Sequence, residues 1–440
     1  MHFDAYRFRF LADALNASGG FAPQKAATAL VLSNSEALVY PTYLVKYSRE
    51  LAEKFNRRNQ VAVYRNFLRS TCSRYNGYLF SKSASRATNS PLYKAMLEDL
   101  DMRGNAAGIF WQDFALNAKA RGSMLVLVDM TTELPDNQAE QVATRSVPYF
   151  LGIPPECIAD CDVGDDGKFE WIALHDEYNE RPAWKVWTKT DWRIQAPGKE
   201  GAIYDQGAHQ LGECPVLIFS EQSEFPHYGE FSQIADLSLS WFNLVSSRDE
   251  ILYGNAFPFL TYQLTDTEQA GDLNLTMGVS NAVIYRGERP GYVSPESTAL
   301  DVLERAIDRI EKAIQEIGYH IDMTAQAEAA AALNLRFRNL SASLTSFSQR
   351  LADFERRCWW TAAKWLNLSE IPAIEWPGDY DIADVMTEIG ILQNMQASAF
   401  SAEVIAKQQE RIIKMQFANI DQTEFDALIS APAEHQTPTA

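Results

Sequence analysis

SPESTALDVLERAIDRIEKAIQEIGYHIDM (294–323), TAQAEAAAALNLRFRN (324–339) and LSASLTSFSQRLADFERRCWWTAAKWL (340–366) follow one another without a break. In the first piece Leu303, Ala306, Ile307, Ile310, Ala313, Ile314, Ile317 and Ile321 recur at spacings of three and four, the stripe of an amphipathic helix. Asp301–Arg305 and Asp308–Lys312 stand at helical i,i+4 distance, each pair contributing about 0.3 kcal/mol. The third piece is a second amphipathic helix, ending in Trp359, Trp360 and Trp365. Between the two lies an Ala-rich insertion. None of these residues has catalytic character, so the run points to an architectural role.

Upstream, Phe231–Tyr253 repeats the helical pattern with Ile234, Leu237, Trp241, Leu244 and Val245, and Gly254 closes it. Residues 254–295 then hold two strand-like pieces, PFLTYQL (258–264) and NAVIYRG (281–287), separated by polar turns. Two short strands cannot bury both faces alone, so Phe257, Phe259, Leu260, Val283 and Ile284 require neighbouring subunits. The stripe of the 294–323 helix has the same requirement.

Further toward the N-terminus, helices are expected from Pro41 through Phe55, from Val61 through Phe80 and from Pro91 to Ala120, the last stopped by Gly122. MLVLVDM (124–130) reads as a buried strand and Thr131–Thr144 as a loop. PYFLGI, KFEWIALHDEY, AWKVWTKTDWRIQ and CPVLIF, within residues 146–220, alternate apolar and polar positions and read as one small β module, barrel-like or sandwich-like. After Leu366 the chain passes Pro372 and Trp376-Pro377-Gly378 into a helical region of about 382–429, and the final ten residues have a disordered composition. The fold class is α+β, mainly helical.

The formal charge is −19, from 39 Lys and Arg against 58 Asp and Glu, which argues against tight, sequence-independent wrapping of nucleic acid through clustered cations. An acidic surface that lets phosphates slide past remains compatible. One basic block interrupts the acidity: Lys46, Arg49, Lys54, Arg57, Arg58, Arg65, Arg69 and Arg74 against Glu50 and Glu53. It reads as a solvated face or a contact with acidic neighbours, with phosphate contact as the sharper alternative. The five cysteines are scattered and odd in number, which suits a reducing compartment. No secretory signal and no spanning segment is expected.

Candidate chemistry is weak. Cys157, Cys161 and His175 lack the second pair of a zinc site. The Asp162–Gly167 cluster has Gly164 and Ala173 where a calcium loop needs ligands, and so reads as a hairpin turn. Gly167-Lys168 lacks the first glycine and the Ser or Thr of a phosphate loop. His175 and Asp176 face opposite ways on an alternating strand, and no nucleophile elbow is present. No enzyme activity, cofactor or metal is expected.

The order of these pieces resembles the portal proteins of tailed bacteriophages over roughly residues 40–420. GNAFPFLTYQL, IYRGERPGYVSPESTALDVLERAIDRIEKAI and NLSASLTSFSQRLADFERRCWWTAAKWL carry the resemblance most strongly. It implies a wing of residues 1–230, stem helices at 231–253 and 296–321, and a clip at 254–295. It further implies a tunnel loop at 322–339, a long helix returning to the wing at 340–378, a helical crown at 379–430 and a tail at 431–440. Such proteins form a twelve-fold ring at one capsid vertex. The resemblance therefore implies passage of double-stranded DNA, with the terminase large subunit, a head-tail adaptor, and major capsid and scaffold proteins as partners. A virion location, with assembly in the host cytoplasm, goes with it. It would place Ile307, Ile310, Ile314, Ile317, Trp241 and Leu244 in ring assembly and Phe257, Phe259, Tyr285 and Arg286 in the clip. Arg336, Arg338, Asn334 and Asn339 would lie at the DNA channel; a salt bridge to a neighbouring subunit is the other role for Arg336 and Arg338. A different virion protein, such as a head-tail adaptor or minor capsid component, is the alternative.

Overall fold

The computed structural model describes residues 5–21, 43–48, 50–131, 135, 137–222, 224–256, 261–263, 283–285, 297–319, 330–378, 380, 392, 394–395, 398 and 401–416. The chain divides into two compact units, Met1–Asp322 with Ser346–Gly378, and Met323–Thr345 with Asp379–Ala440.

The first unit opens with α1 (Tyr6–Asn16), α2 (Ala52–Val61) and α3 (Phe67–Leu79), followed by the short strand β1 (Ser85–Ala87). Then come α4 (Pro91–Glu98), α5 (Ala107–Arg121), β2 (Ser123–Asp129), α6 (Gln138–Ala143) and β3 (Tyr149–Ile153). Five strands follow: β4 (Ile158–Val163), β5 (Phe169–Tyr178), β6 (Arg181–Thr188), β7 (Asp191–Gln195) and β8 (Ile203–Ala208). They form an antiparallel meander in chain order, with Ile172 opposite both Cys161 and Trp187. β9 (Val216–Ser220) leads into α7 (Ser232–Ala256), the paired strands β10 (Thr261–Gln263) and β11 (Val283–Tyr285), and α8 (Ser297–Ile317). Helix α9 (Ala330–Trp365) passes from the second unit into the first, where β12 (Ala373–Glu375) pairs with β1. Helix α10 (Ala402–Gln416) belongs to the second unit.

The core of the first unit forms where α5 and α9 meet the sheet β3-β2-β9. Phe114 stacks on Phe354 at 5.4 Å and meets Phe219 edge-on at 5.7 Å, while Phe150 lies 5.3 Å from Trp359. Trp111, Phe150, Phe219, Phe354 and Trp359 are fully buried. Large rings at offset and edge-on angles fill this space with few gaps.

Several expectations need correction. PYFLGI and CPVLIF do not join the meander; as β3 and β9 they flank β2 on either side. An apolar strand buried on both faces needs two hydrogen-bonded neighbours, and the chain supplies them from 20 or more residues away. The helix expected from Pro41 through Phe55 begins at Ala52, because residues 43–48 are held in irregular form by side chains of α7. The helix expected over Pro91–Ala120 breaks at Asp99–Ala106, where Asp99 accepts from the Gly104 amide at 2.8 Å and Asp101 from the Arg103 amide at 3.0 Å. The loop expected over 131–144 contains α6. Within the insertion, Ala330–Asn339 is helical, as the high helix propensity of Ala-rich sequence favours.

Candidate functional site

α7 and α8 form an antiparallel hairpin: the Tyr319 hydroxyl donates to Glu230 at one end, and Trp241 Nε1 donates to Glu311 at 3.0 Å along the shaft. The two helices that the apolar spacing predicts are present, spanning Ser232–Ala256 and Ser297–Ile317. The chain between them carries β10 and β11, which pair in parallel with Thr261 opposite Val283 and Gln263 opposite Tyr285. Of the residues expected in a clip, Phe257, Phe259 and Arg286 lie outside the described residues, and Tyr285 ends β11.

The root of the hairpin is a junction of three segments. Gly122 ends α5 with φ of +82°, and its backbone passes so close to Gly229 that an added Cβ would sit 1.9 Å from the Gly229 nitrogen. Only glycine permits both the left-handed conformation and the approach. Beside it, the buried Lys119 ammonium pairs with Glu221 and Glu230, each at 2.9 Å, and lies over the rings of Tyr75, Phe231 and Phe347 at 4.6, 4.7 and 5.2 Å. Burial opposes its charge, but Glu221, Tyr75 and Glu230 outweigh that penalty and raise its pKa, so the group stays protonated. Glu230 thus connects α5, the start of α7 and the end of α8.

Along the shaft, the basic block meets the chain's own carboxylates. Arg57 donates to both oxygens of Glu250 at 2.8 Å and lies 4.2 Å from the Tyr253 ring. Arg58, almost wholly buried, pairs with Glu50 at 2.8 Å and donates to the Val45 carbonyl at 2.7 Å and to Ser246 at 3.3 Å. Arg65 reaches Glu311 at 3.3 Å, and Phe67 meets Trp241 edge-on at 5.2 Å. These contacts clamp α2 and the start of α3 onto the hairpin. Arg69 and Arg74 make no ion pair among the described residues.

The apolar stripe of α8 divides in two. Ile307 and Ile314 are buried, at 5% and 3% exposure. Leu303, Ile310 and Ile317, each seven residues from the next, remain half-buried, as does Leu244 on α7; Trp241 is buried. A heptad repeat keeps three apolar side chains on nearly one line of a helix. Near the far end of the hairpin, Leu252, Tyr253 and Val302 are exposed.

Arg336, Arg338, Asn334 and Asn339 all fall on the first turns of α9, within the second unit, and Arg336, Arg338 and Asn339 are exposed. Among the described residues no group of three or more His, Cys, Asp or Glu side chains is arranged to hold a metal ion, and no helix is long and apolar enough to cross a membrane.

No protein-family model and no curated protein matches this chain. Three similar solved chains come from gene transfer agent particles. One, from the virion of the native particle, is 12% identical, covers 83% of this chain and 90% of its own, and has a TM-score of 0.41. One from the neck of the empty particle, computed with C6 symmetry, is 12% identical over 82% and 89%, with a TM-score of 0.42. One from the neck of the native particle, computed with C12 symmetry, is 11% identical over 83% and 90%, with a TM-score of 0.35.

Proposed function

We propose that this chain is the portal subunit of a tailed-phage-type particle, closing into a ring at one capsid vertex through which double-stranded DNA is packaged and ejected. The half-buried line Leu303, Ile310 and Ile317 on α8 carries this reading. The hairpin covers one edge of the apolar stripe within the chain through Ile307 and Ile314, and the other edge, only half covered, seeks another surface. In a ring each copy offers the same face to the next, so every stripe is covered and none is left over.

Charge supports the conduit. In a ring of twelve, the −19 of each subunit adds up over the assembly, which disfavours adhesion of DNA. Arg57, Arg58 and Arg65 are neutralised by their own carboxylates, which leaves less of the basic block to hold phosphate. Arg336 and Arg338 are the cations assigned to transient DNA contact. In this reading the β10–β11 segment meets the terminase motor and later the head-tail adaptor, and the rest of the first unit meets capsid and scaffold.

Ile310→Asp tests the assembly surface. The side chain is half-exposed, so the chain should fold and keep its circular dichroism, while a buried carboxylate in each stem contact prevents closure. Mass photometry should record free subunits where the wild type gives full-size assemblies. Full-size assemblies from the variant would refute the stem assignment.

A further inference from the structure

Away from the hairpin, α9 points Arg357, Trp360 and Lys364 outward while Cys358, Trp359 and Ala362 are buried. Strand β9 runs alongside, and the hairpin turn at Gly167–Lys168 closes one end. Together they bound a mainly apolar groove of about 310 Å3.

Three features define what would fit. The first is a strand edge. β9 is the outer strand of its sheet, and Arg357 Nη2 donates to the Ile218 carbonyl at 3.0 Å. In an antiparallel ladder the amide and carbonyl of one residue face the same side, so Ile218 presents its backbone to the groove rather than to β2. The second is Trp360, 46% exposed beside Cys214, Val216 and Ile218, a large apolar ring left in solvent above an apolar wall. The third is charge. Lys168, Arg357 and Lys364 face the groove against one carboxylate, Glu213, which accepts from Lys364 at 2.6 Å and Lys168 at 2.8 Å. That leaves two positive charges in excess on a chain that is otherwise strongly acidic.

We propose that this groove binds an extended acidic segment of a partner protein, laid along β9 with an apolar side chain over Trp360 and carboxylates between Lys168, Arg357 and Lys364. The mode is strand addition, in which backbone bonds give affinity and flanking side chains give selectivity. The charge pattern selects an acidic segment over a basic one, and the single broad ring selects one bulky apolar residue at its centre. This surface is separate from the hairpin and does not depend on the ring reading.

The test is fluorescence anisotropy on the full chain. The probe is a short fluorescein-labelled peptide alternating Glu with Leu around a central Phe, set against the same peptide with Lys in place of Glu. The acidic peptide should bind with an affinity that falls as salt rises, and the basic one should not bind. Trp360→Ala, an exposed position that leaves folding intact by circular dichroism, should weaken binding at least about tenfold. Lys168→Gln combined with Lys364→Gln should weaken it as well, and Lys364→Arg should retain it. Equal binding of both peptides, no effect of Trp360→Ala, or displacement of the peptide by a duplex oligonucleotide would overturn the proposal.

Discussion

Glu355 has no exposed surface, yet its carboxylate is fully provided for: Arg86 donates at 2.6 and 3.0 Å, Trp359 Nε1 at 3.1 Å and Trp376 Nε1 at 2.7 Å. The three from Arg86 and Trp376 tie the β1–β12 ribbon to α9. Removing the carboxylate leaves a buried guanidinium without its counter-charge, so Glu355→Ala should cost about 3–5 kcal/mol in urea unfolding. A loss under about 1 kcal/mol would show that the pair is not buried as described. His209 behaves in the opposite way. Its ring is buried between Trp187 and Trp365, at 6.0 and 5.9 Å. Burial lowers its pKa, more than the nearby Thr188 carbonyl and the Asp191 and Asp129 charges raise it. The unfolded chain binds a proton near about pH 6.5 and the folded chain resists it, so stability is complete above that pH and declines as pH falls through it. His209→Phe should remove this part of the acid sensitivity, read as a smaller drop in melting temperature between pH 7.5 and 5.5. An identical drop in both proteins would count against it. Neither residue announces its role in the sequence, because the partners of Glu355 and His209 come from distant segments and only the fold brings them together.

At the scale of elements, what periodicity alone encodes was legible. Both hairpin helices, the long helix and the buried strand MLVLVDM follow from spacing, because a helix or strand repeats its apolar face within a few residues. Strand partnership was not legible. PYFLGI and CPVLIF look like the meander strands beside them, and only pairing with β2 distinguishes them. The division of the α8 stripe was also hidden: Ile307 and Ile310 read alike in sequence, and burial separates them only once α7 is in place. The Ile310→Asp outcome belongs to this scale, since it asks whether the half-covered line is an interface. The basic block illustrates the same limit. Its cations invite a phosphate reading, and only the fold shows that Glu250, Glu50 and Glu311 meet three of them, Arg57, Arg58 and Arg65.

At the scale of the molecule, the central claim is closure into a ring. A hairpin clamped at its root by Lys119, Gly122 and Glu230, carrying a strand-bearing excursion and a half-covered heptad line, has the parts of a rod that packs beside copies of itself. Negative-stain imaging of the purified full-length chain tests this most directly. The expected image is a ring with rotational symmetry and a central opening wide enough for duplex DNA. A monodisperse single subunit at concentrations where assemblies should persist would contradict it.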